Sequence, residues 1–65
     1  MIFKLFVFLL PLANPHAPAH LPVYQQTYTG PNAQSLCISG AELYILKHPA
    51  PKGFTYRTSC SEIHP

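Results

Sequence analysis

Four side chains in the second half of the chain could ligate a metal or cross-link: Cys37, His48, Cys60 and His64. Two thiols in an oxidising compartment read as a disulfide. A Cys37–Cys60 bridge would stabilise the fold by roughly 3 kcal/mol through the entropy it removes from the unfolded chain. The same four residues form a Cys2His2 set, and the Cys60–His64 spacing occurs in zinc sites. Their order, with His48 between the two cysteines, matches no finger signature. The disulfide is therefore the expectation, with no metal and no cofactor. His16 and His20 make no second pair, because Pro18 between them breaks any shared helical face.

Acid–base chemistry is poorly supplied. The acids are Glu42 and Glu62, and there is no aspartate. Paired-carboxylate catalysis requires both groups at one substrate, and nothing in the spacing joins these two. No Gly-rich phosphate loop, GxSxG or CxxC occurs. A chain this short also lacks the supporting residues that hold a catalytic constellation in place. A non-enzymatic protein is expected. The cations are Lys4, Lys47, Lys52 and Arg57, too few to neutralise a nucleic-acid backbone. Charged residues make up 9% of the chain, which favours association with a partner or a membrane over a freely soluble monomer. Neither Asn14 nor Asn32 opens an N-x-[ST] sequon.

The N-terminal segment sets the compartment. Lys4 precedes the apolar run Leu5–Ala13, and prolines and alanines follow it. The run falls far short of the roughly 20 apolar residues that span a bilayer, and Pro11, Pro15, Pro18 and Pro22 prevent its extension. The pattern reads as a signal peptide over residues 1–19, with transient membrane targeting through residues 1–13. Ala17 and Ala19 supply the small pair, which puts the cut between Ala19 and His20. An uncleaved membrane anchor is the competing reading.

Residues 20–34 read as a proline-containing extended segment and turn, and residues 35–65 as a small disulfide-closed element. Pro15-His-Ala-Pro18 matches PxxP but reads as spacer in a secretory chain. Val23–Thr29 alternates as a strand, and Gly30-Pro-Asn32 is a turn. Phe54–Cys60 is the clearest strand, with Phe54, Tyr56, Thr58 and Cys60 on one face and Thr55, Arg57 and Ser59 on the other. Leu43–Leu46 is read as a strand pairing with Leu36–Ile38. Against it stand the capping-box spacing Ser39–Glu42 and the helix stop Lys47-His48-Pro49.

Cys37-Ile-Ser-Gly40, Leu46-Lys47-His-Pro49, Gly53 and Tyr56 together resemble the first part of the small immunoglobulin-like ectodomain of coronavirus accessory membrane proteins. That family follows a signal peptide with a Cys-x-x-Gly strand, a Leu-Lys-x-Pro step and a Gly/Tyr turn. The resemblance spans residues 37–56 and implies a β-sandwich-derived fragment that engages host immune or cell-surface proteins. The family has a second disulfide and a C-terminal membrane span that this sequence does not display.

The fold class expected is a small disulfide-stabilised, mostly-β or irregular peptide preceded by a helical signal segment, with no large core. The function expected is that of a small secreted protein that binds an extracellular or host protein partner. The alternatives are a membrane-associated microprotein held by its first segment, and a short product without a defined activity. The partner-binding residues expected are Arg57, Lys47 and Lys52, with Phe54 and Tyr56 in whatever core forms.

Overall fold

A computed structural model describes residues 1–14, 16 and 22–64. Its elements are β1 (Ile2–Pro11), β2 (Tyr24–Thr29), α1 (Ala33–Lys47) and β3 (Phe54–Glu62). The strands form one antiparallel sheet in the order β2-β1-β3. Because both outer strands run antiparallel to β1, they run parallel to each other, joined through α1. The topology is a β-α-β unit with the first strand inserted between its two parallel strands.

The segment expected to be a signal helix is the central strand. Ile2, Phe3, Phe6, Val7 and Phe8 are β-branched or aromatic, the types that fit a pleated surface. Apart from Lys4, the row facing away from α1 is apolar as well, so the strand reads as a continuous run, as a targeting segment also does. Burial still alternates along it: Phe3, Leu5 and Val7 are buried, with Leu5 and Val7 fully so. Register is fixed on both sides, from Ile2 opposite Thr29 to Val7 opposite Tyr24, and from Phe3 opposite Glu62 to Pro11 opposite Phe54. The expected cut between Ala19 and His20, and most of the proline-rich stretch before it, lie outside the described residues.

Residues 33–47 are helical, which corrects the strand reading of Leu43–Leu46. Ala33, Cys37 and Ala41 recur every four residues and face the sheet, all three buried. Their small side chains let the helix axis approach β1 closely. Leu36, Ile38, Leu43, Ile45 and Leu46 are all exposed, so apolar residues occupy more than the inner side of α1. Periodicity cannot separate such a segment from a buried strand. The helix starts after the Gly30-Pro-Asn turn, where Gly30 adopts φ 107° and its N–H donates to the Met1 carbonyl at 3.0 Å. Ser39 is mid-helix and caps nothing. The expected stop holds: Lys47 sits in the last turn, where the helix dipole favours a cation, and the His48 N–H donates to the Tyr44 carbonyl at 2.8 Å.

The strand readings at 23–29 and 54–60 agree with β2 and β3, the latter reaching Glu62. The Cys37–Cys60 disulfide lies within residues 35–65, and β3 finds its strand partner in β1. The core is small, as expected: Phe3, Leu5, Val7, Ala33, Cys37 and Ala41, with four tyrosines and Cys60 packed around it.

Candidate functional site

Cys37 and Cys60 are joined in a disulfide, with Cα atoms 6.1 Å apart. Cys60 lies opposite Leu5 on the face of the sheet that meets α1, so the bond pins the helix across the central strand to β3. This uses the two sulfurs of the Cys2His2 set. The two histidines go elsewhere: His48 stacks on Tyr44, and His64 lies 3.6 Å from a Glu62 carboxylate oxygen at the surface.

Beside the disulfide is a cluster of tyrosines. Tyr24 and Tyr28 stand two turns of the pleat apart on the helix-facing side of β2, opposite Val7 and Phe3. Tyr44 projects from α1 between the outer strands, stacked on Tyr24 at 4.6 Å and edge-on to Tyr56 at 5.7 Å. Tyr56 donates its hydroxyl proton to the His48 carbonyl at 2.6 Å, tying β3 to the end of the helix. Gly40 admits Tyr28: a Cβ at that position would overlap the phenol oxygen. Burial pushes the Tyr28 hydroxyl above its ordinary acidity range, and neighbouring Tyr24 adds to the rise. Desolvation raises Tyr56 likewise, with Tyr44 as the second cause. Both phenols therefore stay protonated and able to donate at neutral pH.

A cleft of about 190 Å³ opens between β2 and the C-terminal half of α1. It is lined by Tyr24, Tyr28, Leu43, Tyr44, Lys47 and His48, with Gly40 at its floor. Its lining holds one cation and no carboxylate. β2 also forms one margin of the sheet. Tyr24, Gln26 and Tyr28 direct their backbone groups to β1, as the Gly30-to-Met1 bond sets the phase, so Gln25, Thr27 and Thr29 direct theirs outward. A long contact of 3.5 Å from the Gln26 side-chain amide to the Thr27 carbonyl lies along this margin.

Of the three residues expected to bind a partner, Lys47 lines the cleft. Arg57 projects from the opposite face of the sheet, opposite Phe8. Lys52 is exposed on the turn before Gly53 and lines neither surface. The structure thus separates these cations. Tyr56 packs against the core as expected, whereas Phe54 is 42% exposed and outside it. Sequence reading passed over Tyr44, whose ring neighbours Tyr24 and Tyr56 are distant in the chain, and weighed His48 as a metal ligand and helix stop where it lines the cleft. The mid-helix Gly40 was the available signal, since a glycine there costs helix stability and usually marks a close approach.

No protein-family model, no curated protein and no solved structure matches the chain. Cys37–Gly40, the strand implied by the coronavirus-ectodomain resemblance, lies within α1 here. Among the described residues, no helix is long and apolar enough to cross a membrane.

Proposed function

We infer that the protein is a small non-enzymatic binding protein of an oxidising compartment, which takes an extended segment of an extracellular partner against the margin of β2. The observation that carries this reading is the aromatic cleft beside an outer strand whose edge no described element pairs with. Edge strands bind extended chains by adding a strand, with backbone hydrogen bonds giving affinity and side-chain pockets giving selectivity. Natural edges are usually blunted by lysine, proline or a bulge. Tyr24–Thr29 carries no lysine or proline, and its pairing with β1 is unbroken. Tyrosine-rich surfaces supply large contact area at low entropy cost. Lys47 at the rim, without a carboxylate beside it, favours a partner with an acidic side chain.

The disulfide supports the oxidising compartment. The separation of the two glutamates supports binding over catalysis: Glu42 lies on the exposed part of α1, and Glu62 at the end of β3. Retention of residues 1–19 belongs to the proposal, because the binding edge is held in place by β1.

The test is amide hydrogen exchange on the oxidised full chain, with and without a pool of short synthetic peptides. These peptides alternate aliphatic residues with one aspartate or glutamate. Binding by strand addition protects the outward amides of Gln25, Thr27 and Thr29 and leaves those of Tyr24, Gln26 and Tyr28 as they were. Thr27→Pro removes an outward donor without touching the β1 ladder and abolishes the new protection. Lys47→Glu weakens the acidic peptides selectively. Protection elsewhere, or none with any peptide of the pool, would refute the reading.

A further inference from the structure

The side of the sheet away from α1 has no covering element among those described. Residues directly opposite one another in an antiparallel pair share a face, so the register defines this one. Ile2, Lys4, Phe6 and Phe8 run down its middle on β1, all half-buried, and Leu10 beyond them is buried, so the accessible part of the face is the stretch from Ile2 to Phe8. Serine, threonine and glutamine flank them on both outer strands, and Arg57 stands opposite Phe8. The Phe6 and Phe8 rings lie parallel with centroids 6.3 Å apart, both half-buried. The Lys4 ammonium sits over the Phe6 ring, 5.4 Å from its centroid.

Charge selects the occupant of this face. It holds two cations and neither of the chain's carboxylates, because Glu42 is on α1 and Glu62 lies opposite Phe3 on the helix-facing side. A second copy packed face to face would bring four cations, Lys4 and Arg57 of each copy, into one interface with no side-chain carboxylate among them. A nearly flat apolar stripe bordered by hydroxyls and two cations instead matches an anionic interface that accepts aromatic rings at headgroup depth. Lysine and arginine near an anionic leaflet each favour binding by roughly fivefold.

We propose that the open face of the sheet docks on an anionic lipid bilayer. Phe6 and Phe8 enter the headgroup region, and Lys4 and Arg57 pair with lipid phosphate or carboxylate groups. The bilayer is engaged from the surface by a folded sheet, leaving the β2 margin and the cleft free. This differs from an anchor that inserts the first segment as a helix.

The test uses oxidised full-length chain sedimented with vesicles of phosphatidylcholine alone and of phosphatidylcholine mixed with phosphatidylserine. The chain is expected in the pellet with the mixed vesicles and in the supernatant with the neutral ones, with binding lost as salt is raised. Arg57→Glu, on an exposed edge position, lowers partitioning on the order of tenfold. Lys52→Glu makes the same change in net charge away from the face and leaves partitioning nearly unchanged. An intact disulfide and an unaltered circular dichroism spectrum certify that each variant is folded. Equal loss in both variants, equal binding to neutral vesicles, or self-association abolished by Arg57→Glu would overturn the proposal. So would conversion of β1 to helix on the vesicle, seen as a gain of helical signal. Peptide binding at β2 is read separately, so either proposal can fail alone.

Discussion

The two faces of the sheet are built from alternate residues of one strand, yet they are held in different ways. On one face Phe3, Leu5 and Val7 meet α1 through Ala33, Cys37 and Ala41, and a disulfide fastens the helix down. On the other, the Phe6 and Phe8 rings lie against each other with the Lys4 ammonium over Phe6, and no described element packs across them. Both rows are apolar, so hydrophobicity does not distinguish them. The difference lies in what is covered: small helical residues and a covalent bond make one row a core, while no described element covers Phe6 and Phe8 in the other. An inner row and an outer row of similar residues should therefore differ sharply in their response to mutation.

The largest effect is expected from removing the strand that carries both rows. Without residues 1–11, β2 and β3 are parallel strands about 10 Å apart, two strand spacings, with nothing between them. Chain that begins at His20 should lose its protected amides and be cleaved rapidly by protease, whereas chain that begins at Met1 resists. N-terminal sequencing of protease-resistant material checks this. Resistant material beginning at His20 would show that the fold does not depend on β1.

Next come single truncations in the two rows. Leu5→Ala opens a cavity at a fully buried position and should cost about 2–5 kcal/mol, while Phe6→Ala should cost less. Urea unfolding of both variants compares them directly. Equal losses would erase the distinction between the faces.

Reduction of Cys37–Cys60 should cost about 3 kcal/mol and loosen the inner face more than the outer one. Amide exchange is the measurement. Faster exchange along α1 and β3, with β1–β2 pairing retained longer, is the expected order.

The smallest effect is alkaline. Tyr28 and Tyr56 hold their protons more tightly in the folded chain than at the ordinary value of 10.0. Their contribution is fully present below that value and is lost as pH rises through the raised values, because ionisation then favours the unfolded chain. Stability should be level from neutral pH to about 10 and fall above it. Tyr56→Phe should flatten part of that fall, followed by tyrosinate absorbance during unfolding. A fall beginning well below pH 10 would point to other groups.

Much of this could be read from local pattern. The alternation in Phe54–Cys60, the turn at Gly30-Pro-Asn32 and the loop at Pro49–Gly53 are properties of a few adjacent residues, and each agrees with the structure. The pairing of two cysteines in so short a chain was legible as well. The first segment and the helix were not. Leu5–Ala13 satisfies the demands of a targeting segment and of a doubly flanked central strand equally, because both are short apolar runs. Leu43–Leu46 has apolar side chains in succession, so no period marks it as helix.

By itself, then, the sequence determined the strands at Val23–Thr29 and Phe54–Cys60, the turn at Gly30-Pro-Asn32, the loop at Pro49–Gly53, the single disulfide and the scarcity of acid–base groups. Each follows from dihedral preference, alternation or inventory, which need no partner element. The tertiary structure decided that residues 2–11 stand between β2 and β3, that Cys37 reaches Cys60 from a helix, and that Tyr24, Tyr28 and Tyr44 share a cleft with Lys47. It also decided that Arg57 lies on the far side of the sheet. These depend on which apolar run is enclosed by which neighbours, a long-range choice that composition and local spacing leave open.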